Sequence, residues 1–420
     1  MRHDDPIHPF SPDPDRDFEI RTVLGHAGEG ASDPGEVLAA TASLKKDDHE
    51  GWFAAWNGLG DRAAARAGTA SSAGHRVSAA EANLRASAYF GVAVNAVSGL
   101  SDTSRLRATF AKQRAAWEGF VDDAPVLVDR VDIPYTTAAN EADALPGWFF
   151  RPAPGTATGA ALVAVNGSDG SLAALWASSV SAALKRGYAV LVFDGPGQQS
   201  QLFEKGVPFR PDWENVLTPA FDVVAAQEGV DAGRIAVYGI SQAGYWVPRA
   251  LAFEHRFAAA VVDPGVVDVS TSWTSHLPKS LRKLVAEAGT GGADGAAASE
   301  KLDREMALGL KLSPGTARTW SFRARPYGST GYAETLVAVS RYTVADVAGR
   351  ITTPLFITDP EGEQFWPGQA EQLAALTPGV STLVRFTAAE GASGHCEPLA
   401  RGLVAQRMYD WLDERLARSA

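Results

Sequence analysis

Cysteine is almost absent: the 420 residues contain one, Cys396. A single thiol excludes an intrachain disulfide and a cysteine-built zinc site. Positive net charge is missing as well. The 38 Lys and Arg against 49 Asp and Glu leave −11 at neutral pH, which argues against nucleic acid as a partner, because that binding needs cations to displace phosphate counterions. Long apolar runs are also lacking. No uncharged apolar stretch reaches the roughly 18 residues that read as a membrane span, and the opening MRHDDPIHPFSPDPDRDFEI has no apolar run of signal-peptide type. The expectation is a cytoplasmic protein with no membrane partner. What is present is ordinary globular composition, 45% hydrophobic and 21% charged, which excludes a disordered or collagen-like chain. At roughly 100–200 residues per domain, the length implies more than one unit.

The first 125 or so residues read as helical. Trp52, Phe53 and Trp56 fall at helical spacing. Ser78, three residues before Glu81, predicts a capping box, and Leu84, Ala88 and Val92 continue the stripe. A further stripe of Leu106, Phe110, Trp117 and Val121 is interrupted at Gln113 and Arg114. Long helices with no strand among them suggest a small bundle over 1–125.

From residue 126 the pattern changes. VLVDRVDIPY and LPGWFFRP read as two antiparallel strands. Six short apolar runs follow, at 161–167, 188–195, 234–241, 257–265, 354–362 and 381–391, with helix-length segments between them and a final helix at about 399–417. Apolar strands alternating with helices predict a mostly parallel sheet covered on both faces. About 90 residues separate the fourth and fifth of these runs. A structureless loop of that length is improbable, so 266–345 is expected to be an inserted helical lid, with GTGGADGAAAS as a flexible stretch within it.

The most informative segment is Gly239-Ile240-Ser241-Gln242-Ala243-Gly244, between an apolar run and a helix. It is close to G-x-S-x-G, the turn that presents a nucleophilic serine. Ala243 stands where the pattern has glycine. The competing reading is an inert serine in a small-residue turn. A serine nucleophile needs a base. Of eight histidines, His3, His8, His26, His49 and His75 precede the strands, His276 falls in the lid, and His255 reads as a helix cap. His395, in a glycine-rich loop after the last strand, remains. The orienting acid should follow the preceding strand, giving the order Ser, acid, His. The position of Pro367 selects Glu363, with Asp359 the alternative and Glu361 a bystander. The oxyanion hole would use the backbone N–H of Gln242 and that of Ser168, with Gly167 letting the chain turn inward. Losing one such donor typically costs about 3 kcal/mol in the transition state.

Asp194-Gly195-Pro196-Gly197-Gln198 lacks the lysine of a phosphate-binding loop and reads as a turn beside the site. Asp194, Tyr245, Trp246 and Trp366 are candidate substrate contacts. Trp213, Trp273 and Trp320 lie near the same loops, and for any single Trp core packing is the competing role. No metal-ligand spacing occurs, and no cofactor is expected.

These features together resemble the α/β-hydrolase superfamily, within it the branch of 2,6-dihydroxypseudooxynicotine hydrolase and the fermentation–respiration switch protein. The residues that carry the likeness are FDGPGQ, PFRPDWENVLTPAFDVV, GISQAG, GHCE and the early RASAYF. The resemblance implies an eight-stranded α/β-hydrolase fold over 126–420, a helical N-terminal domain covering the site, a homodimer, and a triad of Ser241, Glu363 and His395. It implies hydrolysis of an ester or of a C–C bond of a ketone, while the aromatic residues near the sheet's carboxyl edge suit a bulky apolar or aromatic substrate, and a lid and front domain over the mouth favour a small ester, lactone or β-diketone. The alternatives are acyl transfer on the same triad, or a binding protein that retains the fold without catalysis. A thiol at Cys396, beside the base, would line the site.

Overall fold

The computed structural model describes residues 7–417; His3 and the first residues of the opening segment lie outside them. Eight strands form one sheet: β1 (Leu127–Thr136), β2 (Ala142–Arg151), β3 (Ala161–Val165), β4 (Ala189–Phe193), β5 (Ile235–Ile240), β6 (Ala259–Asp263), β7 (Leu355–Pro360) and β8 (Ser381–Phe386). Their order is β1-β2-β4-β3-β5-β6-β7-β8. β1 pairs antiparallel with β2, and β2 with β4; the remaining neighbours are parallel. The sheet is therefore mixed, with its parallel part at the centre.

Every residue of β3 and β4 is buried, as a strand covered on both faces must be. Ala161, Val163 and Val165 enter one core, and Leu162 and Ala164 enter the other. From β3 the chain goes to β4 on one side and then back to β5 on the other. That reversal opens a crevice at the carboxyl ends of β3 and β5, the place where open α/β sheets bind ligands.

Among the described residues five α-helices precede the sheet: α1 (Pro14–Gly25), α2 (Pro34–Thr41), α3 (His49–Ser72), α4 (Arg76–Ala96) and α5 (Leu106–Asp123). They share a core of their own around Trp52, Phe53, Trp56, Tyr89 and Phe90. The expected box at Ser78 does not form. α4 starts at Arg76 with His75 as N-cap and no side-chain cap, because the turn at Gly74 (φ +78°) starts the helix earlier and leaves Ser78 inside it.

Between strands lie α6 (Leu172–Leu175) and α7 (Ser181–Lys185), joined by a π-helical turn, then α8 (Gln199–Phe203), α9 (Glu214–Ala225) and α10 (Ala243–Leu251). The insertion after β6 carries α11 (Thr271–Thr274), α12 (Lys279–Ala288), α13 (Gly292–Lys311), α14 (Pro314–Ala324) and α15 (Tyr332–Val339). Its glycine-alanine stretch is not flexible coil. Only Gly291 and Gly292 adopt positive φ; the alanines after them, strong helix formers, open α13, which buries Ala298, Leu302, Met306 and Leu310 at four-residue intervals. The fold ends with α16 (Gln369–Leu376) and α17 (Arg401–Arg415). α10 stops at Leu251, so His255 caps nothing; its Nδ1 meets the Thr352 hydroxyl at 3.5 Å. Among the described residues no helix is long and apolar enough to cross a membrane.

Candidate active site

Ser241 sits between the end of β5 and the start of α10 with φ +58°, a left-handed conformation that non-glycine residues adopt only when their surroundings impose it. The backbones around it are in tight contact. A Cβ on Gly239 would lie 2.7 Å from the Ala243 carbonyl oxygen, and one on Gly244 would lie 1.9 Å from that of Pro264. Gly244 is thus a glycine the turn requires, while the Ala243 methyl is accommodated in the core. This explains the departure from G-x-S-x-G.

His395 follows β8 in a loop held by two bonds: Gly394 N–H donates to the Glu361 carbonyl at 2.8 Å, and His395 N–H to Gln364 Oε1 at 3.0 Å. Its Nε2 is 2.8 Å from Ser241 Oγ and its Nδ1 is 2.8 Å from Glu363 Oε2. The other Glu363 oxygen accepts the N–H groups of Phe365 and Trp366 at 2.7 and 3.1 Å. Burial works to raise the Glu363 carboxyl, but His395 and these donors outweigh it and hold the group below the usual carboxylate range. Asp359 does not reach the histidine. It lies within β7 and pairs with Arg385 of β8 at 2.6 Å, because its position in the strand directs it along the sheet. Glu361 Oε2 accepts the Ala388 N–H at 2.8 Å.

The loop after β3 comes up against the serine. A Cβ on Gly167 would stand 2.7 Å from the Ser241 Cβ. The Gly167 N–H already donates to Asn166 Oδ1 at 3.0 Å, so this residue offers close approach rather than a donor. Among the described residues no backbone partner takes the N–H of Ser168 or of Gln242. Gln198, from the DGPGQ turn, braces the loop: its Nε2 donates to the carbonyls of Asn166 and Gly167 at 2.7 and 2.9 Å, while its Oε1 accepts the Gly195 N–H at 2.9 Å. The Gln242 side chain accepts from the Tyr327 hydroxyl of the insertion at 3.4 Å.

Three expected substrate contacts are placed elsewhere. Tyr245 and Trp246 have no accessible surface. Trp246 stacks on Trp213 at 4.5 Å, and the Tyr245 hydroxyl donates to the Pro211 carbonyl at 3.0 Å. A side chain without accessible surface cannot touch a diffusing molecule. Asp194 is buried too, bonded to Arg114 of α5 and to the Ser200 hydroxyl. Cys396 turns its thiol to the Asp263 carbonyl at 3.3 Å rather than into the site, and burial raises its pKa well above the ordinary thiol value. Trp366 does flank the site, with its ring 5.5 Å from that of His395.

Other site residues have no local signal in the sequence. Phe365 and Phe18 of α1 pack against the His395 ring at 4.8 and 6.2 Å. Asp15 and Glu19 of α1, Asp169 and Arg323 of α14 interact with one another through their charges, and Asp169 also feels His395. Glu19 is half-buried and Asp169 is exposed. They lie where α1, the 166–170 loop and α14 of the insertion meet, near His395. Burial first, then the charges of Asp169 and Asp15, push Glu19 up to about 8, so it keeps its proton at neutral pH. A separate cleft of about 260 Å³, bordered by Phe18, Gln364 and Gly394, includes none of Ser241, Glu363 or His395 and is not the reacting space.

The family model described as the prolyl oligopeptidase family matches residues 175–295, which include Ser241. The chain is 30% identical to "Hydrolase acrC" of Aspergillus aculeatus over 428 aligned residues, covering 95% of this chain and 96% of that one. It is also 30% identical to "20-hydroxy-prefusarin hydrolase FUS2" of Gibberella moniliformis, over 62% of this chain and 63% of that one. The crystal structure of 2,6-dihydroxy-pseudo-oxynicotine hydrolase is similar at TM-score 0.69 and 18% identity, covering 94% of this chain and 95% of that one; that likeness is one of fold and includes the N-terminal helices. The chain is a hydrolase and belongs to the α/β-hydrolase superfamily.

Proposed function

We propose that this protein is a serine hydrolase of small molecules that carry a reactive carbonyl: an ester, a lactone or a ketone cleaved at a C–C bond. The observation that carries the reading is the unbroken chain from Ser241 to His395 to Glu363, with 2.8 Å at each link. His395 Nε2 takes the Ser241 hydroxyl proton as the oxygen attacks the carbonyl carbon. The N–H groups of Ser168 and Gln242 receive the negative charge on the carbonyl oxygen. The tetrahedral adduct collapses, the leaving group departs with a proton, and water, deprotonated by the same imidazole, releases the acid and restores Ser241. Glu363 stays ionised, keeps Nδ1 protonated and supports the imidazolium.

Helix α1 and the insertion both border the site, through Phe18 and Arg323, which favours a small molecule over an extended peptide. Both 20-hydroxy-prefusarin and 2,6-dihydroxypseudooxynicotine, named for two of the similar hydrolases, are small organic substrates. Phe18, Phe365 and Trp366 around His395 suit a bulky apolar or aromatic body, and Asp169 and Arg323 suit a polar end. For C–C cleavage the leaving carbanion must also gain a proton, and the neutral carboxyl of Glu19, next in α1 to the Phe18 that packs on His395, is the donor we propose for it. A fluorophosphonate probe tests the reading: Ser241 should be labelled, and Ser241→Ala should lose both labelling and turnover. Undiminished turnover in that variant on every accepted ester would overturn it.

A further inference from the structure

Beneath the triad lies a charged group that the reaction itself does not use. Asp263 ends β6, Glu397 follows His395 by two residues, and Arg401 opens α17. Asp263 and Glu397 are 0% exposed and Arg401 is 4% exposed. Asp263 receives three side-chain donors: Tyr238 Oη at 2.9 Å, Thr358 Oγ1 at 3.1 Å and Arg401 Nη1 at 2.8 Å. Glu397 is far less well served. Among the described residues neither of its oxygens accepts a well-aligned hydrogen bond, and Arg401 Nη1 stands 3.7 Å from Oε2. Its neighbours are the Asp263 carboxyl, the guanidinium and the Thr358 hydroxyl.

Two neighbouring buried carboxylates beside one guanidinium leave a net buried charge, and two such like charges do not both persist. The donors converge on Asp263, so the proton belongs on Glu397, whose O–H can then donate to Asp263. Burial and the Asp263 charge push the Glu397 carboxyl well above its ordinary range. Burial opposes ionisation of Asp263 too, but Arg401 and the hydrogen bonds hold that carboxyl low. The other titratable groups facing Arg401 are Tyr238, Tyr409, Cys396 and His26, and burial with the Arg401 charge keeps the His26 ring neutral.

The same residues join the two halves of the triad. The Asp263 carbonyl accepts the Ser241 N–H at 2.6 Å and the Cys396 thiol at 3.3 Å. Arg401 Nη1 donates to the Cys396 carbonyl at 2.7 Å and Nη2 to that of Ser178 at 3.2 Å. Ser241, Cys396 and Glu397 have φ of +58°, +58° and +41°, so the nucleophile turn and the histidine loop are both strained where they meet this group. Strain of this kind persists only when the surroundings over-determine it.

We propose that Glu397, Asp263 and Arg401 form an alignment device, in which one proton held between two carboxyl groups and one guanidinium fixes the Ser241 turn and the His395 loop at hydrogen-bonding distance. They are positioning residues, and none touches substrate. The proposal rests on the triad reading above, and it predicts that glutamine replaces Glu397 while an apolar residue does not.

The test compares the full-length wild type with Glu397→Gln, Glu397→Leu and Asp263→Asn. In the infrared difference spectrum at neutral pH, the wild type should show a protonated-carboxyl C=O stretch that Glu397→Gln lacks. Glu397→Gln should keep wild-type kcat, KM and Tm. Glu397→Leu and Asp263→Asn should lose about 10- to 100-fold in kcat with KM unchanged, as expected for a displacement on the order of 1 Å at the reacting atoms. Fluorophosphonate labelling of Ser241 should slow in parallel. The absence of that band, a Glu397→Gln variant as impaired as Glu397→Leu, or a fully active Glu397→Leu would each overturn the proposal. Should Glu397→Leu fail to fold, the infrared band and the glutamine variant decide alone. Should Ser241→Ala remain active, the triad reading fails while the infrared result still judges the shared proton.

Discussion

Gly167 and Ser241 are so close that a Cβ on the glycine would stand 2.7 Å from the serine Cβ and 3.2 Å from its Oγ. No real Cβ contact is that short, so Gly167→Ala must displace either the nucleophile or the loop that carries the Ser168 N–H. The expected outcome is a loss of about 100-fold in kcat from misalignment of the reacting atoms. Steady-state kinetics beside a Tm measurement check it. A fully active Gly167→Ala would mean that the 166–170 loop does not form the oxyanion site.

Gln198 bears on the same loop from behind. Gln198→Leu removes the donor to two buried carbonyls, and each unsatisfied group costs roughly 1–3 kcal/mol. The variant is expected to be destabilised and, at temperatures where it remains folded, to lose kcat with little change in KM. Denaturant unfolding followed by kinetics separates the two effects. Unchanged kcat in a destabilised protein would confine Gln198 to stability.

Glu363 and Asp359 are separable by substitution. Glu363→Gln leaves the geometry near His395 but permits the wrong imidazole tautomer, a change that costs on the order of 10⁴-fold in kcat in a comparable triad. Asp359→Asn only weakens an ion pair whose Arg385 side chain is 51% exposed, and such pairs contribute up to about 1 kcal/mol. Activity should survive it. Comparable losses in the two variants would return the acid assignment to the open choice that the sequence presents.

Much of this was legible because it depends on short-range pattern. The strands are continuous apolar runs, Ser241 is marked by the small residues that its tight turn requires, and His395 and Glu363 are found by strand order and the nearby proline. The surroundings of the triad were not legible. Phe18, Asp169 and Arg323 come from α1, the loop after β3 and α14, and only tertiary packing brings them together. Tyr245 and Trp246 were misplaced for a related reason: a helix that starts at the nucleophile has both a site face and a core face, and local sequence does not say which one bears the aromatics. The interrupted stripe at Gln113 and Arg114 did carry information, since Arg114 leaves the apolar pattern to reach Asp194 at the sheet edge.

That contact yields a stability prediction. The Asp194 side chain is 0% exposed and its Arg114 partner 18%, so Arg114→Met leaves a buried carboxylate without its counter-ion. Breaking a buried pair from one side typically costs about 3–5 kcal/mol. The double variant Arg114→Met with Asp194→Asn should recover much of that loss, because it removes the unpaired charge. Urea unfolding of both variants measures the difference. A double variant no more stable than Arg114→Met would mean that packing of α5, and not charge, is what the arginine supplies.

Glu19 gives a pH signature with a definite sign. Its carboxyl ordinarily ionises near 4.5, but burial, with Asp169 and Asp15 adding to it, raises the folded value to about 8. Between those values the unfolded chain has lost the proton while the folded protein keeps it. The folded state therefore binds more protons, and its stability falls as pH rises through that window and levels off above it. Glu19→Gln cannot ionise and escapes this penalty. Its Tm relative to wild type should be lowest at about pH 4.5, rise steadily, and reach its maximum near pH 8. If C–C cleavage is the reaction, the same variant should also lose turnover on ketone substrates and retain it on activated esters, whose leaving groups need no acid. A Tm difference that stays flat or shrinks with pH would mean that Glu19 is ionised in the folded protein at neutral pH and cannot be the proton donor.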